Sequence, residues 1–186
     1  MKTSHLELEH IRERTRVTRM VSRAPLRLLE TGLHSRGVEI QLSSYGGGVL
    51  QGDQVDLDIQ CGAHTGLLLK SQANTHVYRN DTGKETIQRI VGRCAAHSSV
   101  RVFPEPLVLH SHARFSQYQS WDVSTNADLI LADWMQSGRS ESKERFAFSA
   151  FESNVLISID GNPVLEEHFS CFPKERDSRN PARFGP

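Results

Sequence analysis

Short segments in which apolar and polar residues alternate, separated at close intervals by glycine, limit most strongly what this chain can fold into. The alternation is clear in residues 55–60 (VDLDIQ), 99–109 (SVRVFPEPLVL) and 154–161 (NVLISIDG). Successive side chains of a β-strand point to opposite faces, so this pattern predicts half-buried strands. Helical periodicity is scarce, and the sequence therefore predicts a mostly β protein.

Three further segments refine this prediction. Residues 159–169 (IDGNPVLEEHF) predict a hairpin whose turn is Asp160, Gly161 and Asn162. Residues 65–71 (TGLLLKS) form a continuous apolar run, which is typical of a strand that is buried on both faces. Residues 129–135 (LILADWM) fit either a strand or one helical turn.

The chain is predicted to form one β domain with few short helices, as a sandwich or as a stacked-sheet, β-helix-like arrangement. No internal sequence repeat is visible, which argues against a regular solenoid. Residues 1–16 are rich in Glu, Arg and His and predict a charged N-terminal arm, either a short helix or disordered. The β domain is expected over residues 17–172. Residues 173–186, which are polar and contain proline, predict an irregular tail.

The composition excludes several classes of function. Lys plus Arg and Asp plus Glu both number 22, so the net charge is zero and gives no electrostatic footprint for nucleic acid or an anionic membrane. The N-terminus lacks the apolar segment of a signal peptide, and no apolar run approaches the roughly 20 residues that span a bilayer. Three scattered cysteines do not describe a disulfide framework. We expect a cytoplasmic protein.

The glycine cluster in residues 44–53 (SYGGGVLQGD) invites comparison with phosphate-binding loops. It has neither the Lys nor the Ser/Thr that a Walker A loop requires, and no helical pattern follows it. The four glycines are instead expected to permit positive φ and close packing in a tight structural turn, with Asp53 bonding loop amides. These glycines are Gly46, Gly47, Gly48 and Gly52.

Residues 110 and 112 are histidines, and on a strand both rings would face the same side. Imidazole suits nickel, copper or zinc, so His110 and His112 are weak metal candidates, although two polar residues on a solvent-facing side of a strand are the preferred explanation. A cupin-type site also needs a glutamate a few residues later, and residues 113–121 contain no acid. The sequence has no nucleophile elbow and no local cysteine signature, so it offers no motif for catalysis.

Four stretches in order resemble the UreD family of urease accessory proteins. They are residues 45–59 (YGGGVLQGDQVDLDI), 68–79 (LLKSQANTHVYR), 102–117 (VFPEPLVLHSHARFSQ) and 129–148 (LILADWMQSGRSESKERFAF). The hairpin that follows is similar to the family's strand pair. The resemblance covers residues 15 to about 172. It departs from the family pattern at His76, where family members usually have lysine, and family members continue well past position 172.

The resemblance implies a mostly β fold with stacked sheets and no catalytic activity. It implies a scaffold that binds apo-urease and a UreF-type helical protein, which recruits a UreG-type GTPase. Ni²⁺ would pass through an internal polar channel, held transiently and weakly, with no cofactor tightly bound. The residues at matching motif positions that become candidates for this path are Asp53, Thr75, His76, Tyr78, Glu105 and Glu144.

Two alternatives stay open at this point. One is a small cupin-like metal-binding enzyme that uses His110 and His112, which would hold its metal tightly and in a fixed ratio. The other is a non-functional fragment without a stable fold, which the short C-terminus suggests.

Overall fold

The computed structural model describes residues 3–34 and 37–173, and within them the chain forms fifteen β-strands, one 3-10 turn at Ser140–Ser142 and no α-helix. The mostly β prediction is therefore confirmed. The strands are β1 Ser4–Ile11, β2 Arg14–Val21, β3 Leu26–His34, β4 Gly37–Ser44, β5 Gln54–Cys61, β6 Gly66–Ser71, β7 Thr75–Val77, β8 Thr86–Cys94, β9 Ser99–Phe103, β10 Leu107–Leu109, β11 Arg114–Val123, β12 Asp128–Leu131, β13 Met135–Gln136, β14 Ala150–Ile159 and β15 Asn162–Cys171.

The strands form three sheets that the chain visits in rotation. Sheet I has the order β15-β14-β11-β8-β5-β1-β2, sheet II the order β12-β9-β6-β4-β3, and sheet III the order β13-β10-β7. From β5 to β13 each turn of the chain contributes one strand to sheet I, one to sheet II and one to sheet III, and equivalent strands pair in parallel. The result is a three-sided, β-solenoid-like stack of turns.

The core lies inside this stack, because strands such as β5 and β11 point alternate residues inward. On β5, Val55, Leu57 and Ile59 are all buried, as the alternation predicts. The parallel register places Ile59 beside Gly92, and Gly92 beside Trp121 of β11. A Cβ atom on Gly92 would lie 2.0 Å from Cε3 of Trp121, so the indole ring occupies the space above the glycine.

The corners between sheets I and II repeat from turn to turn. Residues 61–65 and 94–98 share the pattern Cys-x-Ala-His-Ser/Thr, and both histidines, His64 and His97, have φ of 61°. In each corner the fifth residue donates its N–H to the carbonyl of the second, and the N–H of His64 bonds to Ala96 on the next turn. The stacked-sheet, β-helix-like prediction is therefore confirmed, whereas the statement that no repeat is visible is wrong. The repeat is short, and it lies in the corners rather than in the strands.

Two other expectations fail. Residues 4–16 are neither helical nor disordered but belong to β1 and β2, because the Leu residues of SHLELEHI alternate and Leu6 and Leu8 are buried. Strand β6 is buried on one face only, since Leu67 and Leu69 point into the core while Leu68 is partly exposed. Residues 129–135, which were compatible with a strand or a turn, contribute to β12 and β13.

The hairpin prediction is confirmed, since β14 and β15 pair antiparallel across a turn at Asp160 and Gly161. All of β15 before its last residue is exposed, including Val164, Leu165 and Phe169. The described residues contain no helix long and apolar enough to cross a membrane. The predicted tail lies outside the described residues apart from position 173.

Candidate functional site

The glycine turn lies at the edge of sheet III, where Val49 pairs in parallel with Val77 of β7. Gly46, Gly47 and Gly52 have φ between 76° and 84°, which explains the choice of glycine there. Gly48 is different, because its backbone approaches a neighbouring strand: an added Cβ would lie 2.5 Å from the carbonyl oxygen of His76 and 2.6 Å from Cε2 of Tyr78. The structural role predicted for these glycines is thus visible at each position.

Asp53 closes this turn. One oxygen of its carboxylate accepts the N–H of Leu50 at 2.8 Å, and its own N–H bonds to the Leu50 carbonyl at 3.1 Å. Its carbonyl accepts the N–H of Ile87 on β8. The expected bonding of loop amides by Asp53 is therefore present.

Two histidines that are far apart in sequence meet beside this turn. His76 on β7 and His110 after β10 are brought together by the parallel pairing of β7 with β10, and Nδ1 of His76 lies 3.0 Å from Nε2 of His110. The inward residues of the same strands, Val77 and Leu109, are fully buried in the core. Because neighbouring residues of a strand face opposite ways, His76 lies on the outer face of sheet III, and His110, just after the end of β10, contacts it there.

The surroundings of the pair are aromatic and charged. The Tyr78 ring stands edge-on to His110 with centroids 4.9 Å apart, and its hydroxyl donates to the Gly46 carbonyl at 3.3 Å. His110 is only 8 % exposed. Burial, with the positive charge of Arg139 and the neighbouring His76, lowers the pKa of His110 below its usual value, which favours the neutral imidazole.

Glu144 fixes the loop that precedes β14. Its carboxylate accepts two hydrogen bonds from the Arg139 guanidinium, from Nε at 2.9 Å and from Nη2 at 2.5 Å. It also accepts the N–H of Ser111 at 3.1 Å, next to His110 in sequence. The hydrogen bonds from Arg139 lower the pKa of Glu144, and the Ser111 N–H adds to this effect. Glu144 and Arg139 therefore form an ion pair within this loop.

The premise that His110 and His112 lie side by side on a strand is wrong. Strand β10 ends at Leu109, and residues 110–113 form a turn in which the Ala113 N–H bonds to the His110 carbonyl. His112 has a left-handed φ of 63°. The turn replaces strand geometry, so alternation does not apply, and the partner of His110 is His76. Within residues 3–34 and 37–173, no group of three or more His, Cys, Asp or Glu is arranged to hold a metal.

The interior of the stack carries polar side chains that the sequence analysis did not identify. On β11, Gln117 and Gln119 are 4 % and 7 % exposed, and Ser153 of β14 is equally buried. The Gln117 amide donates to Ser153 Oγ at 2.9 Å and also to a carboxylate oxygen of Asp133. Gln117 and Gln119 share the inward face with Trp121, so glutamine at inward positions of an alternating strand was the available signal.

Asp133 brings a carboxyl group to this interior. The residue is exposed overall, but its side chain bonds to Gln117 and Ser153. Burial of the carboxyl end raises the pKa of Asp133, and the hydrogen bonds from Ser153 and Gln117 oppose that rise.

Three cavities adjoin one another, and the third is open to the surface, since its lining includes the exposed Trp134 and Phe169. The first, of about 140 Å³, lies below the glycine turn, the second, of about 60 Å³, is lined by residues of all three sheets, and the third, of about 220 Å³, lies against β15. The first and second share Leu42, Thr75 and Gln88, whereas the second and third share Asp133 and Trp134. Each cavity has room for water, which needs about 10–15 Å³.

The structure thus separates the sequence candidates into groups. His76, Tyr78 and His110 lie together on the outer face of sheet III, with Glu144 bonded next to His110. Thr75 and Glu105 line the second cavity. Asp53 and His112 line none of the three cavities. A role of these residues in conducting a metal stays a prediction.

Comparison with known proteins gives one consistent result. The model of the family described as UreD urease accessory protein matches residues 2–186. A urease accessory protein UreD of Cytophaga hutchinsonii is 33% identical over 184 residues, which is 98% of this chain and 64% of the relative. One from Anaeromyxobacter sp. is 35% identical over 155 residues, 83% of this chain and 52% of the relative. Urease accessory protein D of Oryza sativa subsp. indica is 31% identical over 167 residues, 88% of this chain and 55% of the relative. The chain therefore spans between about half and two-thirds of the length of these relatives.

Proposed function

Because the chain belongs to the UreD family of urease accessory proteins, we propose that it is a non-catalytic scaffold for the insertion of Ni²⁺ into apo-urease. Its direct partners in this proposal are apo-urease and a UreF-type protein, which links it to a UreG-type GTPase, and its location is the cytoplasm. The relatives are named as accessory proteins, which agrees with a role without catalysis. The observation that carries the proposal is the family match over residues 2–186, and the three adjoining cavities support a path for the ion.

The chemistry of these cavities suits an ion that must be released again. Their polar lining includes amide, hydroxyl and carboxyl groups, among them Gln88, Thr75 and Asp133, together with Lys70, whose ammonium group pairs with Glu39 at 3.3 Å. Oxygen donors of this kind bind nickel less firmly than imidazole or thiolate ligands do. A series of such positions lets an ion exchange from one to the next, whereas a closed site of strong ligands retains it.

The cupin-like alternative loses its main support, because His110 and His112 do not share a strand face. The scaffold function is therefore the one we carry forward to experiment.

The first experiment tests partnership. The full chain is co-expressed with urease subunits and the other accessory proteins in a host that lacks its own UreD-type protein, and urease activity and nickel content are measured. We expect activation above the level without the chain, and co-purification with the UreF-type protein and apo-urease. Failure of the folded chain to bind either partner would refute the scaffold role.

A second experiment tests the interior path. Asp133→Asn removes the charge from the cavity lining and keeps the shape, whereas Asp128→Asn removes a charge from an exposed position of β12. We expect the first variant to lower nickel per urease at least threefold while partner binding is retained, and the second to match wild type. Equal nickel loading by both variants, with thermal melts showing both folded, would contradict a path through these cavities.

A further inference from the structure

The histidine pair on the outer face of sheet III lies outside the series of cavities, and neither His76 nor His110 lines any of them. Their facing nitrogens are 3.0 Å apart, and their ring planes cross at 83°. Two imidazoles bound to neighbouring positions of one metal ion, each at about 2.0–2.1 Å, have nitrogens about 2.9 Å apart for a right angle and about 3.3 Å for a tetrahedral angle. The observed separation lies within this range and close to the right-angle value.

From this geometry we propose that His76 and His110 form a binding site for a divalent transition-metal ion on the outer face of sheet III. The ion would bind to Nδ1 of His76 and Nε2 of His110 in place of the single proton that a hydrogen-bonded imidazole pair holds between these atoms. Imidazole nitrogens select nickel, copper and zinc over calcium and magnesium.

The neighbouring residues hold the two rings in position. The backbone of Gly48 packs against His76 and Tyr78, and the Tyr78 ring stands edge-on to His110. Glu144 holds the backbone of Ser111 next to His110. Support of this kind is what orients metal-bound imidazoles in proteins.

The ligand count determines the strength of the site. Among the residues that the structure describes, no third His, Cys, Asp or Glu joins the pair to form a group of metal ligands. Two protein ligands leave the other coordination positions to water, so the ion is exchangeable. The site therefore differs from a closed structural zinc site, which has four protein ligands.

A second group of histidines provides a matched control. His64 and His97 at the corners of successive turns are stacked, with ring centroids 4.8 Å apart and planes at 17°. Nearly parallel rings do not direct their nitrogens at a common point. His64→Gln therefore removes one histidine from a close pair without affecting the proposed site.

The test uses the full chain without a tag. Ni²⁺ binding is measured by calorimetry, and electron paramagnetic resonance counts the nitrogen ligands of bound Cu²⁺, the divalent ion that such sites bind most tightly. We expect one ion per chain with two nitrogen ligands. His76→Gln and His110→Gln should each weaken binding at least tenfold and leave one nitrogen, and His64→Gln should match wild type.

The outcomes separate this site from the scaffold proposal. Unchanged binding in folded His76→Gln would overturn the site, as would equal loss in His64→Gln. His76 is only partly buried, so it keeps the test valid if His110→Gln does not fold. Neither measurement requires urease. A failure of urease activation would therefore not change the conclusion about the histidine pair.

Discussion

At Gly48 the main chain of the glycine turn comes within contact distance of His76 and Tyr78, and a methyl group has no room there. Gly48→Ala should therefore lower the free energy of unfolding by about 1–3 kcal/mol, the usual cost of overpacking, and weaken metal binding by the histidine pair. Urea denaturation measures the first effect and Ni²⁺ calorimetry the second.

Gly32→Ala is the control for this substitution. A Cβ on Gly32 meets nothing within 4 Å, and its φ lies outside the left-handed region. It should change stability by less than about 1 kcal/mol in either direction. Equal effects of the two alanines would show that the close contact at Gly48 is unimportant.

The lowered pKa of Glu144 predicts how the folding stability changes with pH. Its pKa in the folded protein is lowered by Arg139, so the folded state binds a proton less readily than the unfolded state. The stabilisation is complete above the usual carboxyl pKa of 4.5 and is lost as pH falls through the lowered value. Glu144→Gln should lower Tm by about 1–3 °C at neutral pH, the size expected of a surface ion pair in a chain of this length.

Thermal melts at pH 7 and pH 3 test this prediction. The difference between wild type and Glu144→Gln should shrink at the lower pH, because protonated glutamic acid and glutamine are then both neutral. A difference that stays constant with pH would mean that Glu144 acts through shape or through its hydrogen bond with Ser111 alone.

The residue types in the sequence predicted only part of the candidate functional site. His110 has a side chain suited to metals, but its partner lies 34 residues earlier, and only the register of β7 with β10 brings the two together. Spacing within one segment favoured His112 instead, and the turn after β10 removed that pairing. Asp133 and Gln117 were missed because they are 16 residues apart and meet only when the chain folds around one turn of the stack.

At the scale of elements, the contact between β8 and β11 depends on Gly92 and Trp121. The indole ring lies where a Cβ on residue 92 would be, and Trp121 is fully buried. Gly92→Ala should cost about 3 kcal/mol or more, because neither the ring nor the strand can move without disturbing neighbouring turns. Urea denaturation followed by tryptophan fluorescence measures the cost.

The double variant shows whether the cost arises from this pair. Trp121→Leu leaves a cavity and is itself destabilising, but it removes the atoms that collide with Ala at position 92. The double variant should therefore be at least about 1 kcal/mol more stable than the sum of the single effects predicts. Simple additivity would place the strain of Gly92→Ala elsewhere.

Burial decides which strands could be predicted from the sequence. Strands with one buried face, such as β5 and β14, show alternation and were predicted. In β1 the same alternation is present, but the many Glu, Arg and His residues of positions 1–16 favoured a helix or a disordered arm. The Leu residues of β6 suggested burial on both faces, although only one face of a sheet in a stack of this kind meets the core.

For the whole molecule, the order of the strands in the sheets could not be predicted from the sequence. A parallel stack requires only that each turn bring an apolar face inward, and the turns need no common length, since β5, β8, β11 and β14 begin at Gln54, Thr86, Arg114 and Ala150. The corners at residues 61–65 and 94–98 were the visible trace of the repeat.

Two buried cysteines, Cys61 and Cys94, provide a way to measure the stability of the whole stack. Cys61 and Cys94 are paired on neighbouring strands in the core, and both are free thiols. Burial, together with the nearby Asp122, raises the pKa of Cys94 to about 12. Burial and the nearby Cys94 raise that of Cys61 as well. The folded state therefore holds these protons more tightly than the unfolded state.

Stability should be unaffected by these thiols below their ordinary pKa of 9.0, and it should fall as pH rises above that value, because only the unfolded chain then releases the protons. At pH 8 a thiol reagent should label Cys171 first, since it ends the exposed hairpin strand β15, which opens without the rest. Cys61 and Cys94 should be labelled together, at the rate of global unfolding measured in urea. Labelling of Cys94 as fast as Cys171 would show that the turns of the stack open separately rather than as one cooperative unit.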